Sequence, residues 1–276
     1  MQRQCPTRRP LSKSTVSRLY PHGYERHRGF SLVELLAVVV IILLLLALLM
    51  PLLKNAKLNG QRTVCLSNLG VLGKGFVQYP PDHDGNLMIT EAHVNNEACW
   101  VRNGATEENV KQGALWPYVL DLRVYHCPAH PFQNFVRSYS WNDFINGGNY
   151  AGLPAPGVWK KIGQIPFPSR TMAQMDDIDP RGAGWLVGTW VIDVSNKYRY
   201  VDPVPSWHAG GMNLNFMDGH AEYWKWEDPR TLAMITDGNL NNMNAFFQTH
   251  SGSRDWWRLR QVVNPGFPDA PPPTTR

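Results

Sequence analysis

The chain has 276 residues, with 27 Lys and Arg against 22 Asp and Glu and a formal net charge of +5, a length that suits one large domain or two small ones. Seven basic side chains (Arg3, Arg8, Arg9, Lys13, Arg18, Arg26 and Arg28) crowd into residues 1–29 against the single acid Glu25, so the other 247 residues carry 20 basic and 21 acidic groups. Basicity confined to an N-terminal extension excludes the basic face that nucleic-acid binding requires of a folded domain.

That extension leads into RHRGFSLVELLAVVVIILLLLALLMPLLKN, residues 26–55. Sixteen consecutive apolar residues run from Leu35 to Met50, and Leu52 and Leu53 continue the stretch past Pro51. Counted from Phe30 to Leu53, a helix rising about 1.5 Å per residue spans about 36 Å, enough to cross a bilayer core of about 30 Å. A secretory signal peptide is the competing reading, but its apolar region is about 7–15 residues and ends at a small-residue cleavage site. This one is longer and has no such ending. The arginines precede the segment and only Lys54 and Lys57 follow it closely, which keeps the N-terminus cytoplasmic and exports everything after residue 53. Glu34 sits inside the apolar run, where a carboxylate needs a partner or a position from which it can snorkel to the interface. Pro51 has no N–H and is expected to kink or loosen the helix near the outer face of the membrane.

The helix is expected to continue as residues 54–80. Leu58, Arg62, Cys65, Leu69, Leu72, Phe76 and Tyr79 recur at spacings of four and three, a largely apolar stripe that can pack on a sheet. Gly60, Gly70, Gly73 and Gly75 weaken this helix, and Pro80-Pro81 ends it. A loop-rich stretch follows to about residue 200, with short strand candidates at 87–90, 98–102, 171–175, 185–194 and 198–201. The clearest strand signal is WHAGGMNLNFMDGHAEYWKW, residues 207–226. Met212, Leu214 and Phe216 alternate with Asn213 and Asn215, and Asp218-Gly219 reads as a two-residue type I′ hairpin turn. From Asn264 the proline-rich NPGFPDAPPPTTR reads as a disordered tail.

Several groupings invite a chemical reading. Asp82, Asp84 and Asn86 in DHDGN place oxygen ligands at alternate positions around a glycine, as a calcium loop opens, but no later bidentate glutamate follows. An Asx turn after the helix is the favoured reading of them. Asp176, Asp177 and Asp179 make a second, similarly weak acidic cluster. His126, Cys127 and His130 lack a fourth ligand nearby for zinc. A catalytic pairing of His208 with Asp218 is disfavoured, because a strand over 212–217 alone separates them by about 20 Å. Trp256 and Trp257, beside Arg254 and Arg258, can form an exposed stacking surface for a sugar or a partner. No G-x-S-x-G, Walker or H-E-x-x-H motif is present, and an enzyme is not expected.

Gly29-Phe30, Ser31-Leu32-Val33-Glu34, the basic leader before them and the long apolar run to Pro51 together resemble the prepilin signature of type IV pilins and type II secretion pseudopilins. The resemblance implies that a prepilin peptidase cuts after Gly29 and methylates the new N-terminus, Phe30. Glu34 then meets the α-amino group of a neighbouring subunit and sets axial register. The resemblance extends to prepilin-type proteins with a C-terminal His-x9-Asp-Gly motif, through His208, Asp218, Gly219 and the segments CLSNLGVLGKGF, PPDHDGNL, GALWPYVLDLRVYHCPAHP and RSYSWNDFINGG.

The implied fold is α+β and pilin-like, a long N-terminal transmembrane helix packed on a small antiparallel sheet with long loops. Its parts are a cleaved leader (1–29), a transmembrane helix (30–53), its extracytoplasmic continuation (54–80), a loop-rich β ectodomain (81–263) and the tail (264–276). Cleavage removes Cys5 and leaves Cys65, Cys99 and Cys127, of which Cys65 and Cys127 lie in the resembling segments and form the favoured disulfide. Major pseudopilins bind calcium in a loop, so calcium at Asp82, Asp84 and Asn86 is the one cofactor the resemblance suggests. The implied partners are the prepilin peptidase, other pilin-like subunits, a secretion or pilus assembly platform and the cytoplasmic membrane, with the ectodomain periplasmic or extracellular. The rival reading is a membrane-anchored or surface-displayed carbohydrate-binding module that uses the same export route. An unrelated single-pass anchor protein, left uncleaved, is the third.

Overall fold

A computed structural model describes residues 29–92, 96–104, 106–147, 158–178, 188–193, 199–234 and 251–265. The leader up to residue 28 lies outside the described residues. Two compact units divide at Pro51, residues 1–50 and 51–276. A helix, α1, is assigned from Leu32 to Asp82 and continues through Pro51.

In the first unit every described residue from Gly29 to Met50 is exposed. A helix that is apolar all round and covered by nothing is suited to lipid, not to water. It begins on a capping box. Ser31 Oγ accepts from the Glu34 amide at 3.2 Å, and the Glu34 carboxylate accepts from the Ser31 amide at 2.8 Å, satisfying two of the N–H groups that a helix start leaves open.

In the second unit, α1 buries Cys65, Leu69, Leu72, Gly73, Gly75, Phe76, Tyr79 and Pro80, most of the stripe expected from spacing, while Leu58 and Arg62 stay half-buried. The helix does not stop before Pro80-Pro81. The prolines occupy its last turn, and the stop comes at Asp84 and Gly85, with φ of +53° and +76°. Pro80 O accepts from the His83 and Gly85 amides at 3.1 and 2.8 Å, so the terminal carbonyls are served by a left-handed cap.

Gly75 is needed for space. A Cβ there would lie 2.4 Å from Val119 Cγ2, whereas one at Gly70 meets nothing within 4 Å. Gly75→Ala is therefore expected to destabilise the fold by about 1–3 kcal/mol, and Gly70→Ala to stabilise it by up to about 1 kcal/mol through helix propensity. Urea unfolding of the detergent-extracted chain, followed by tryptophan fluorescence, tests this, and equal midpoints for the two variants would refute the close approach.

The sheet has five strands: β1 (Tyr139–Asn142), β2 (Met172–Asp176), β3 (Thr189–Trp190), β4 (Gly211–Phe216) and β5 (Ala221–Lys225), in the order β3-β1-β2-β4-β5. Neighbours from β1 to β5 are antiparallel, but β3 joins β1 in parallel, so the sheet is mixed where an all-antiparallel one was expected. The segments 87–90 and 98–102 and the described residues 199–201 contribute isolated bridges through Ile89, Cys99 and Tyr200, not strands. Strand β1 went unread because its YSWN is only four residues long, the shortest run over which alternation can be told from chance.

Both faces of the sheet are covered, which a single helix on one face does not require. The α1 stripe packs with Trp100, Tyr125, Tyr139 and Trp141 on one side. On the other, Met172, Met212, Leu214 and Phe216 pack with Trp190, Tyr200 and helix α4 (Arg254–Val263), which follows the short helices α2 (Glu107–Lys111) and α3 (Pro229–Met234) in the chain. Asn213 and Asn215 consequently face α1 instead of water. Their Nδ2 groups donate to Arg62 O at 3.0 Å and Leu69 O at 2.7 Å, which gives each buried side-chain nitrogen an acceptor. The α4 cap residue Asn264 is also buried, so ordered packing extends one residue beyond the expected start of the tail.

The β4–β5 turn is not type I′. Gly219 N donates to Phe216 O and Phe216 N to His220 O, both at 2.9 Å, and of Asp218 and Gly219 only Gly219 has positive φ (+89°). This is a three-residue turn closed by a left-handed glycine. Its Gly219 lies against the helix, since a Cβ on Gly73 would approach Gly219 Cα to 3.0 Å.

Candidate functional site

Two places in the chain concentrate chemistry. At the N-terminal one, Gly29 and Phe30 are exposed ahead of the capping box, and Glu34 has no partner there beyond Ser31 among the described residues. Its carboxylate therefore closes the helix start within one chain and still presents a charge in the apolar segment.

The second place lies in the ectodomain, on the helix side of the sheet. Cys65 of α1, Cys127 from the loop after the 3₁₀ turn Leu122–Tyr125, Asp176 at the end of β2 and His208 before β4 bring their sulfur, oxygen and nitrogen atoms within 4.8 Å of one another. All four residues are at most 1% exposed. Cys65 Sγ is 3.2 Å from Asp176 Oδ1. Cys127 Sγ is 3.3 Å from His208 Nε2, and the same Nε2 is 3.2 Å from Asp176 Oδ2.

Local structure holds each of them. A bulge between Met172 and Gln174 shifts the β2 register against β4, and Asn215 Oδ1 takes up the Gln174 amide at 2.7 Å. The Asn213 amide donates to Asp176 Oδ2 at 3.2 Å. Ala209 and Gly210, with φ of +53° and +79°, turn the chain back so that His208 returns to the sheet, where Tyr223 OH donates to its carbonyl at 2.8 Å. A left-handed alanine costs on the order of 1 kcal/mol, a strain that surrounding structure has to hold. Ser138 Oγ accepts from the Cys127 amide at 2.7 Å, and Tyr139 OH donates to Cys65 Sγ at 3.3 Å.

The electrostatics are coupled. Burial would lower the His208 imidazole, but the Asp176 carboxylate outweighs it and, with Cys127, holds the ring up at about 10. Burial drives the Cys65 thiol well above its ordinary value, reinforced by Cys127 and Asp176. Burial also pushes Cys127 upward, yet hydrogen bonding to Cys65 and His208 leaves it lowered. This is not a nucleophile–base–acid relay, in which the acid holds the ring nitrogen opposite the nucleophile. Here Cys127 and Asp176 both face Nε2, and Nδ1 has no partner among the described residues.

Other sequence candidates are placed elsewhere. His208 and Asp218 lie at opposite ends of β4, and Asp218 instead meets His220 Nδ1 at 2.5 Å. Cys65 and Cys127, the favoured disulfide, are brought together but present as thiols. His126 does not turn inward with Cys127: its Nε2 faces Phe132 O at 3.3 Å, as His130 Nδ1 does at 3.1 Å. Asp82 accepts from Tyr118 OH at 2.9 Å, Asp84 forms the helix cap and Asn86 bridges to Lys161. Asp177 accepts from Ser140 Oγ at 2.5 Å, and Asp179 lies outside the described residues.

The Trp256–Trp257 pair is not an exposed surface. Both rings are buried in the second core, 1% and 6% exposed, because α4 turns that face onto the sheet and leaves Arg254 and Arg258 outside. Sequence reasoning missed Asp176 as the partner of His208. Its signal was its place at the end of a strand, two residues after Gln174 and so on the same face.

An apolar N-terminal helix followed by a helix-packed five-stranded sheet is an α+β, pilin-like layout. Residues 25–50 match the family described as the prokaryotic N-terminal methylation motif, which spans Gly29, Phe30 and Glu34. No curated protein and no solved structure matches the chain. The chain thus carries a prepilin-type methylation motif at the start of a helix long and apolar enough to cross a membrane.

Proposed function

We propose that this chain is a pilin-like or pseudopilin subunit, cut between Gly29 and Phe30, methylated on Phe30, and assembled with other pilin-like subunits into a type II secretion-like pseudopilus or pilus-like fibre. The observation that carries this reading is the methylation motif over residues 25–50, set on a helix that is apolar on every side through Met50 and presents a stripe to a folded domain after it. Such a segment is held by lipid before assembly and by neighbouring helices after it. The leader stays cytoplasmic by its excess of arginines, and the ectodomain is exported. The carbohydrate-binding alternative rested on Trp256 and Trp257, and their burial removes its support.

Intact mass and N-terminal sequencing of the membrane-extracted chain test this reading. The expected product begins at Phe30 and carries one added methyl on its nitrogen. An intact leader, or a cut at another bond, would overturn the reading and leave a plain membrane-anchored domain.

A further inference from the structure

We propose that Cys65, Cys127, Asp176 and His208 form a structural zinc site that ties the exported part of α1 to the sheet. Tetrahedral zinc, with bonds of about 2.3 Å to sulfur and about 2.0–2.2 Å to nitrogen or oxygen, sets its donor atoms about 3.3–3.8 Å apart. With Asp176 Oδ2 as the carboxylate donor, the contacts here are 3.5 Å for Cys65 to Asp176, 3.3 Å for Cys127 to His208 and 3.2 Å for His208 to Asp176, with the sulfurs within 4.8 Å of each other.

The decisive feature is convergence on one point. His208 Nε2 has a single proton, yet a sulfur and a carboxylate oxygen both lie against it. Hydrogen bonding has to share that one proton between both acceptors, whereas a cation at the centre of the four takes one lone pair from each of them at once. A disulfide between the two cysteines explains neither the buried carboxylate nor the imidazole aimed at the sulfurs.

The donor set selects the ion. Two thiolates and an imidazole suit zinc, while calcium and magnesium take oxygen ligands. Four protein ligands, all buried, leave no open position for water or substrate, which marks a structural ion and not a catalytic one. The donors also have their own supports, Tyr139 OH on Cys65 Sγ and the Asn213 amide on Asp176, as ligand-orienting groups do. On binding, the protons of the thiols and of His208 Nε2 leave to solvent. Because the four ligands come from α1, a loop, β2 and the turn before β4, the ion cross-links segments far apart in sequence.

Metal analysis of the full chain, extracted in detergent without reductant or chelator and then equilibrated with zinc sulfate and desalted, tests the site. The expected result is one tightly held zinc per chain. Cobalt exchange of the wild-type chain should give the intense visible bands of tetrahedral cobalt together with a thiolate charge-transfer band, a readout that needs no variant to fold. In Cys127→Ser and Asp176→Asn, zinc content should fall at least severalfold. The proposal is overturned if the chain takes up no zinc and its mass shows Cys65 joined to Cys127. Cobalt spectra without thiolate bands, or full zinc retention in C127S, overturn it equally.

Discussion

Glu34→Gln is expected to leave the chain inserted and cleaved but to remove it from fibres. Glutamine can still accept from the Ser31 amide, so the capping box and the helix start survive. Only the charge is lost, and with it the ion pair that the proposed assembly makes to the first residue of an adjoining subunit. Breaking one partner of a charge pair in a water-free setting costs about 3–5 kcal/mol, on the order of a hundredfold or more per contact at 1.4 kcal/mol per tenfold. Immunoblotting of the sheared surface fraction against the membrane fraction measures the effect. Glu34→Ala removes cap and charge together. If Glu34→Ala is lost from fibres and Glu34→Gln is incorporated like wild type, the residue serves the helix start and the register argument fails.

Trp141→Ala is expected to cost the ectodomain about 3–5 kcal/mol, a large share of a typical stability of about 5–15 kcal/mol. Trp141 sits on the interior strand β1, fully buried, with Phe76 of α1 at 4.3 Å and Trp100 at 6.1 Å between ring centroids. Removing it opens a cavity where helix meets sheet. Its Nε1 has no partner among the described residues, so Trp141→Phe loses volume but strands no acceptor, and about 1–2 kcal/mol is expected. Urea unfolding of both variants settles the comparison. Equal losses would mean that the indole nitrogen, not the ring volume, holds the contact.

What could be read in advance followed the range of each physical signal. The α1 stripe from Cys65 to Tyr79 was legible because helical spacing is a local property of the chain, as was the hairpin over residues 207–226. The two-residue turn was misjudged because Asp-Gly also suits a type I turn closed by glycine, and the register of Phe216 against His220 decides between them. Trp256 and Trp257 were misjudged because an aromatic pair flanked by arginines reads the same whether a sheet face lies opposite or not. Asn213 and Asn215 looked like a solvent face, since nothing local announces helix carbonyls waiting across the sheet.

The sequence by itself determined the anchor and its processing motif. Sixteen unbroken apolar residues, a glutamate and a glycine–phenylalanine junction act through lipid transfer and local recognition, neither of which needs a fold. Only the tertiary structure decided the cluster. Cys65, Cys127, Asp176 and His208 are separated by dozens of residues, and His126 and His130 stood closer in the chain to Cys127 than either of its true neighbours. A ligand set is defined by where atoms meet, and α1, the β2 bulge and the left-handed turn after His208 are what bring these four together.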